Sequence, residues 1–134
     1  MTASSQPSQA PPVVNRCAVM VSPRAPMQAW CRPFRSREEI EALVTEPSLY
    51  LLPTFDDAPA AMALLQRHWR VIFETELDLW CRDSALWPSE RSLEQFEAWF
   101  ELRLFPLVQD LGGGEEEEVL GHYPPEPRAG AAPA

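Results

Sequence analysis

Acidic side chains alternate with tryptophans in residues 73–111, and these two residue types could support chemistry. Glu74, Glu76, Asp78 and Asp83 all fall within a span of ten residues. Carboxylate oxygens are the ligands that hard divalent cations such as Mg²⁺ and Ca²⁺ prefer. One hypothesis, kept as the alternative, is therefore a small divalent-metal-dependent hydrolase with these four carboxylates as metal ligands.

Glu76 differs from the other acids because it lies on the predicted apolar face of a helix. It follows Ile72 by four residues and precedes Trp80 by four, which is helical spacing. A buried carboxylate must be ion-paired, hydrogen-bonded or protonated. Glu76 could be a general acid or a metal ligand, or it could be structural, either paired with an arginine such as Arg16 or Arg91 or at the boundary of the core. The structural interpretation is favoured, because structural networks also perturb carboxylates.

The tryptophan side chains of the same segment indicate that it could bind a partner. We take Trp80, Asp83, Trp87 and Trp99 as candidate binding residues, on a surface suited to a basic protein partner. Asp83 could cap the turn that precedes Trp87-Pro88. Trp87 would then plug the core, and this interpretation is favoured over an exposed anchor for a partner.

Several catalytic classes are excluded by residues that the chain lacks. There is no lysine, and no glycine precedes Gly112, so a Walker loop, a dinucleotide fingerprint and Schiff-base chemistry have no residues to build them. His68 is the one histidine before the tail, which is too few for a histidine-rich zinc site. We therefore expect no cofactor, and we favour a non-enzymatic protein.

Net charge and cysteine usage limit the classes of partner and the cellular compartment that we expect. The formal net charge is −9, which disfavours nucleic acid and anionic membranes. Nucleic-acid binding remains possible only if five arginines share one face: Arg16, Arg24, Arg32, Arg35 and Arg37. No apolar run reaches membrane-spanning length. Three widely spaced cysteines without a CxxC pair predict reduced thiols and a cytoplasmic location.

The predicted organisation is one domain between two tails. Residues 1–12 are small, polar and proline-rich, and residues 113–134 are acidic and proline-rich, so we expect both segments to be disordered. Residues 13–112 remain as the single domain. Their patterns predict, in chain order, a strand over 13–21, a helix capped by Ser36, a strand over 48–55, a long helix capped by either Asp56 or Asp57 that runs to about Cys81, a helix opened by Ser92 and a strand within 101–111.

The last strand is chosen over a helix because Pro106 would break a helix at a cost of about 3 kcal/mol. In a strand, Pro106 would lie at an edge or a bulge. The order β–α–β–α–α–β predicts the α+β class, with a small mixed three-stranded sheet and helices packed on one face.

Several motifs together resemble a family of small bacterial proteins to which we can attach no activity. The matching residues are Asn15-Arg16-Cys17-Ala18, Tyr50-Leu51-Leu52-Pro53, Ile72-Phe73 with Leu77 and Trp80, Asp83 with Trp87-Pro88, Trp99-Phe100 and Asp110-Leu111. The chain departs from the pattern at residues 103–106. The resemblance implies a shared fold and a bacterial cytosol, and the lysine-free, arginine-rich usage is typical of a GC-rich bacterial genome. The predicted function is a binding module for a protein partner.

Overall fold

The computed structural model describes residues 11–112, 118 and 120, and it confirms the α+β class with a three-stranded sheet. The disordered segments predicted for residues 1–12 and 113–134 lie almost wholly outside the described residues. The elements are β1 (Arg16–Pro23), α1 (Ala25–Cys31), α2 (Arg37–Thr45), β2 (Ser48–Pro53), α3 (Ala58–Trp80), a 3₁₀ turn (Ser84–Leu86), α4 (Leu93–Trp99) and β3 (Phe100–Phe105).

The sheet is antiparallel at both of its pairings, where a mixed sheet was expected. Its order is β2-β1-β3, so β1 is the central strand. The two short helices α1 and α2 return the chain to the end of β1 that it has just left. As a result β2 begins at Ser48, opposite Val21. A parallel pairing would have needed a connection that crosses to the opposite end of the sheet.

The core lies between the helices and one face of this sheet. Cys17, Val19 and Val21 alternate along β1 and are fully buried on that inner face, as the two-residue period of a strand requires. They join a cluster that includes Met27 from α1 and Phe73 from α3. Apolar side chains that alternate along the strands therefore face the helices.

The long helix α3 is the main support of the domain. Asp57 caps its start, with the side chain accepting a hydrogen bond from the Ala60 amide at 2.8 Å. Ile72 and Phe73 are buried on its inner side, whereas Met62, nearer its start, is exposed. The long helix predicted to end near Cys81 is thus confirmed, and its buried residues do not include Met62.

Short capping signals also place the two smaller capped helices as predicted. Ser36 and Glu39 form a reciprocal capping box at the start of α2. Ser92 accepts a hydrogen bond from the Gln95 amide at the start of α4. Such caps satisfy amide groups that a helix start leaves without partners, so local sequence is enough to locate both helices.

The strand predicted near the end of the domain is confirmed as β3, and Pro106 follows its last residue. Beyond Pro106 the chain pairs again with the segment that precedes β1, since Val14 donates to the Val108 carbonyl at 2.9 Å. Between the pairs Ala18–Phe105 and Val13–Gln109, one strand has four residues and the other has three. The pairing is therefore interrupted between the two pairs, and Pro106, which has no amide hydrogen to donate, lies in that interval.

Candidate functional site

Glu76 is buried, with 4% of its surface exposed, and two hydroxyl groups of β2 hold it. Ser48 donates to one carboxylate oxygen at 3.2 Å, and the Tyr50 hydroxyl donates to the other. Burial raises the pKa of the Glu76 carboxyl, and the two hydrogen bonds oppose this effect. Neither arginine predicted as its partner holds it, because Arg16 bonds to Asn15 and Arg91 pairs with Glu74. This corrects the predicted ion pair.

The other predicted metal ligands have separate partners. Glu74 pairs with Arg91 at 3.4 Å and Asp78 with Arg82 at 3.5 Å, while Asp83 caps the 3₁₀ turn. Within the described part of the chain, no group of three or more histidine, cysteine, aspartate or glutamate side chains could hold a metal ion. The structure therefore does not bring the four acids together, and no observation favours the hydrolase hypothesis.

In the loop around Trp87, Asp83 caps the turn and the indole packs against the core. The Asp83 carboxylate accepts a hydrogen bond from the Ala85 amide at 3.1 Å. The Trp87 indole is half-buried against the core, and its N–H donates to the Cys81 carbonyl at 2.7 Å. The guanidinium of Arg91 lies 5.6 Å from the centre of the indole ring, within the range of a cation–π contact. Trp87 is thus a structural residue more than an exposed anchor.

The remaining predicted binding residues are also engaged inside the domain. Trp80 is buried at the end of α3. Trp99 is half-buried between Phe73, at a ring distance of 5.8 Å, and Trp30, at 6.4 Å. Trp30, which the sequence analysis did not single out, donates its indole N–H to the Leu86 carbonyl at 3.3 Å. These tryptophans tie α1, α3 and the 3₁₀ turn together, and they do not form one exposed surface.

A conservative change at Trp87 tests this structural role. Trp87→Phe is expected to lower the free energy of unfolding by about 1 kcal/mol, because the Cys81 carbonyl loses its indole donor while most of the ring packing remains. Urea unfolding followed by circular dichroism measures the difference. Leu86→Ala, at an exposed neighbouring position, serves as the control and is expected to change stability by less than about 0.5 kcal/mol. Equal losses in the two variants would contradict the role.

The face of the sheet opposite the helices carries an apolar strip that sequence reasoning missed. We call this surface the outer sheet face and define it by Met20, Leu49, Leu51, Arg103 and Phe105. The register pairs Met20 with both Leu49 and Arg103, so these side chains adjoin across the three strands. Leu49 is 62% exposed and Leu51 is 59% exposed. No described element covers them.

A groove continues this face at one end. Its volume is about 500 Å³, and its lining includes Val14, Arg16, Leu51, Val108 and Asp110. Leu51 belongs both to the groove and to the outer sheet face. The bare apolar strip therefore leads into a concave region bordered by one arginine and one aspartate.

The sequence did hold a signal for this face. β2 reads Ser-Leu-Tyr-Leu-Leu-Pro, so Leu49 and Leu51 alternate with Tyr50 and Leu52. A strand that is apolar on both faces normally lies in a sheet covered on both sides. Here helices cover one side, and the second apolar set lies on the side that no described element covers.

Nucleic-acid binding was predicted to require five arginines on one face, and three of these lie close together at the junction of α1 and α2. Arg32, Arg35 and Arg37 line one cavity of about 530 Å³. Arg16 lines the other groove, beside the outer sheet face. The structure therefore brings three of the five arginines to one cavity and places Arg16 at another, and nothing in its described residues supports nucleic-acid binding.

Comparisons with known proteins add no relative. No family model matches the chain, and no curated protein or solved structure matches it significantly. The resemblance drawn from the sequence motifs therefore stays a prediction. Among the described residues, no helix combines the length and the apolar character that crossing a bilayer requires.

Proposed function

We propose that the protein is a non-enzymatic binding module and that its outer sheet face receives a protein partner. The proposal rests on the exposure of Leu49 and Leu51, which lie side by side on a sheet face that no described element covers. Monomeric proteins rarely leave contiguous apolar surface in water, because its burial is favourable by roughly 25 cal/mol per Å². A partner that covers this strip gains that free energy.

Charges beside the strip indicate what kind of partner fits. Arg16 and Arg103 both lie on the outer side of the sheet, and in the described residues neither forms an ion pair with an acid. Arg103 instead lies 5.2 Å from the ring centre of Phe105. Glu101 is the single acid in register on that side of β3, opposite Ser22. In place of the predicted basic partner, these arginines favour an apolar segment flanked by acidic residues.

The proposal also includes the predicted cytoplasmic location and bacterial source. All three cysteines are free and buried, which supports a reducing compartment such as the cytoplasm. Burial raises the pKa of the Cys31 thiol to about 12, so this thiol is inert at neutral pH. The absence of lysine from the whole chain supports a bacterial source.

The test compares binding by the wild type and a face variant. A partner captured by the tagged wild type is identified, purified and titrated against Leu49→Asp/Leu51→Asp, which places two charges in the strip. We expect affinity to fall at least about tenfold, since each buried, unpaired carboxylate is strongly unfavourable. The melting temperature should change little, because both side chains are exposed in the free protein.

The matched control is Leu86→Asp, at an exposed leucine of the 3₁₀ turn, and it should bind as the wild type does. Arg103→Glu should also weaken binding if the partner is acidic. Undiminished affinity in the double variant would overturn the proposal. A dimer in sedimentation that the double variant disrupts would assign the face to a second copy of the chain and would also count against it.

A further inference from the structure

A second cavity lies at the junction of α1 and α2 and shares no lining residue with the outer sheet face. We call it the arginine groove. Its volume is about 530 Å³, within the range of roughly 300–1,000 Å³ found for small-molecule sites. It is lined by Gln28, Arg32, Arg35, Arg37, Ile40 and Glu41.

The charge of this groove opposes that of the whole protein. Residues 24–37 contain four arginines and no acid, in a chain whose formal net charge is −9. Three of those arginines and one acid, Glu41, line the groove. A second acid, Glu39, lies 4.0 Å from Arg35, so arginine is still in excess at the groove. A local positive field of this kind draws anions to an otherwise acidic molecule.

The groove combines two oriented guanidinium groups with one that is free to bind. Arg35 donates to the Leu79 carbonyl at 3.1 Å, and Arg37 donates to Glu41 at 3.2 Å. The side chain of Arg32 makes no hydrogen bond or ion pair with any described residue, and its backbone amide donates to the Ala29 carbonyl. Oriented guanidinium groups lose little entropy when a ligand binds, and their planar donors match the oxygens of a phosphate group.

We propose that the arginine groove binds a small molecule carrying a phosphate monoester, with Arg32 as the principal contact of the phosphate. A phosphate monoester carries a charge of about −1.5 to −2 at neutral pH, and Arg32 is the lining arginine without an acid beside it in the described residues. Ile40 lines the groove, and the small part of its side chain that is exposed there gives an apolar contact to the remainder of the ligand. The groove thus fits a phosphorylated metabolite of the size of a sugar phosphate or nucleoside monophosphate.

Calorimetric titration of the full chain at low salt tests the site with ribose 5-phosphate and adenosine monophosphate. Arg32→Gln removes the charge of a side chain that is free in the structure, so the fold should be unaffected. Affinity is expected to fall about tenfold, because a hydrogen bond to a charged group is lost. Arg67→Gln is the matched control at another exposed arginine, on α3, and it should change affinity by less than about twofold.

Three outcomes would overturn the assignment. The first is no heat of binding from either phosphate compound at millimolar concentration. The second is binding of adenosine or succinate as tightly as the phosphate monoesters, which would show that the phosphate is not what is recognised. The third is an equal loss in Arg67→Gln. The double aspartate variant of the outer sheet face should bind both compounds normally, so failure at one surface is distinguishable from failure at the other.

Discussion

Replacing Phe73 by alanine is expected to lower the free energy of unfolding by about 3–5 kcal/mol, the largest loss among the substitutions considered. Phe73 is fully buried on α3. Its ring centre lies 5.6 Å from that of Phe96, 5.7 Å from that of Phe100 and 5.8 Å from that of Trp99. The truncation would leave a cavity where α3 meets α4 and the first residue of β3. Urea unfolding measures the loss.

The size of this loss matters because a domain of this length has limited stability. A total of roughly 5–15 kcal/mol is usual, so Phe73→Ala could leave the protein partly unfolded at physiological temperature. Val71→Ala is the control on the same helix, at a side chain that is 67% exposed, and should cost less than about 1 kcal/mol. A loss below about 1 kcal/mol at Phe73 would show that the aromatic cluster is not the centre of the core.

The second large effect concerns Glu76 and pH. Burial raises the pKa of its carboxyl above the ordinary value of 4.5, so the folded protein binds this proton more tightly than the unfolded chain does. A group of this kind stabilises the fold most fully below its unfolded pKa, and that contribution is lost as the pH rises through the folded pKa. We therefore expect Glu76 to weaken the fold progressively above about pH 4.5.

Glu76→Gln keeps the shape of the side chain but removes the titration. The free energy of unfolding of the variant, relative to that of the wild type, should increase as the pH rises. The total increase should be about 1.4 kcal/mol for each pH unit by which folding raises the Glu76 pKa. The gain should level off once the wild-type carboxyl is fully ionised. Urea unfolding of both proteins at a series of pH values measures it.

Two titratable groups that face Glu76 must be considered in this experiment. Burial, with a contribution from Glu76, raises the pKa values of Tyr50 and Cys31, so both stay neutral across the range and do not add a slope. Glu97→Gln, at an exposed position of α4, is the control for the exchange of a glutamate for a glutamine, and the gain of Glu76→Gln is measured against it. A constant difference for Glu76→Gln would contradict the raised pKa.

Local signals in the sequence predicted the elements of this fold well. Ser36 with Glu39, Asp57 and Ser92 each cap a helix through atoms three residues away. Pro106 favoured a strand over a helix, and it follows β3. These signals succeed because capping groups and proline act on neighbouring backbone, so few distant contacts decide the outcome.

Contacts between distant residues could not be predicted in the same way. The hydroxyl of Tyr50 reaches Glu76 across 26 positions of the chain, and no local pattern indicates that a hydroxyl holds this acid in place of an arginine. The antiparallel pairing of β1 and β2 depends on how α1 and α2 turn the chain. The candidate sites are hidden for the same reason, since the arginine groove exists only where that turn brings Arg32, Arg35 and Arg37 to one cavity.

The backbone hydrogen bonds between the segment after Pro106 and the segment before β1 bring the two ends of the domain close together. The Asp110 amide donates to the Pro12 carbonyl at 2.9 Å, so the first and last backbone segments of the domain are hydrogen-bonded neighbours. A linker of a few residues could join them at little entropic cost. New termini could then open in the exposed stretch near Ser89, giving a circular permutant that keeps every strand of the sheet.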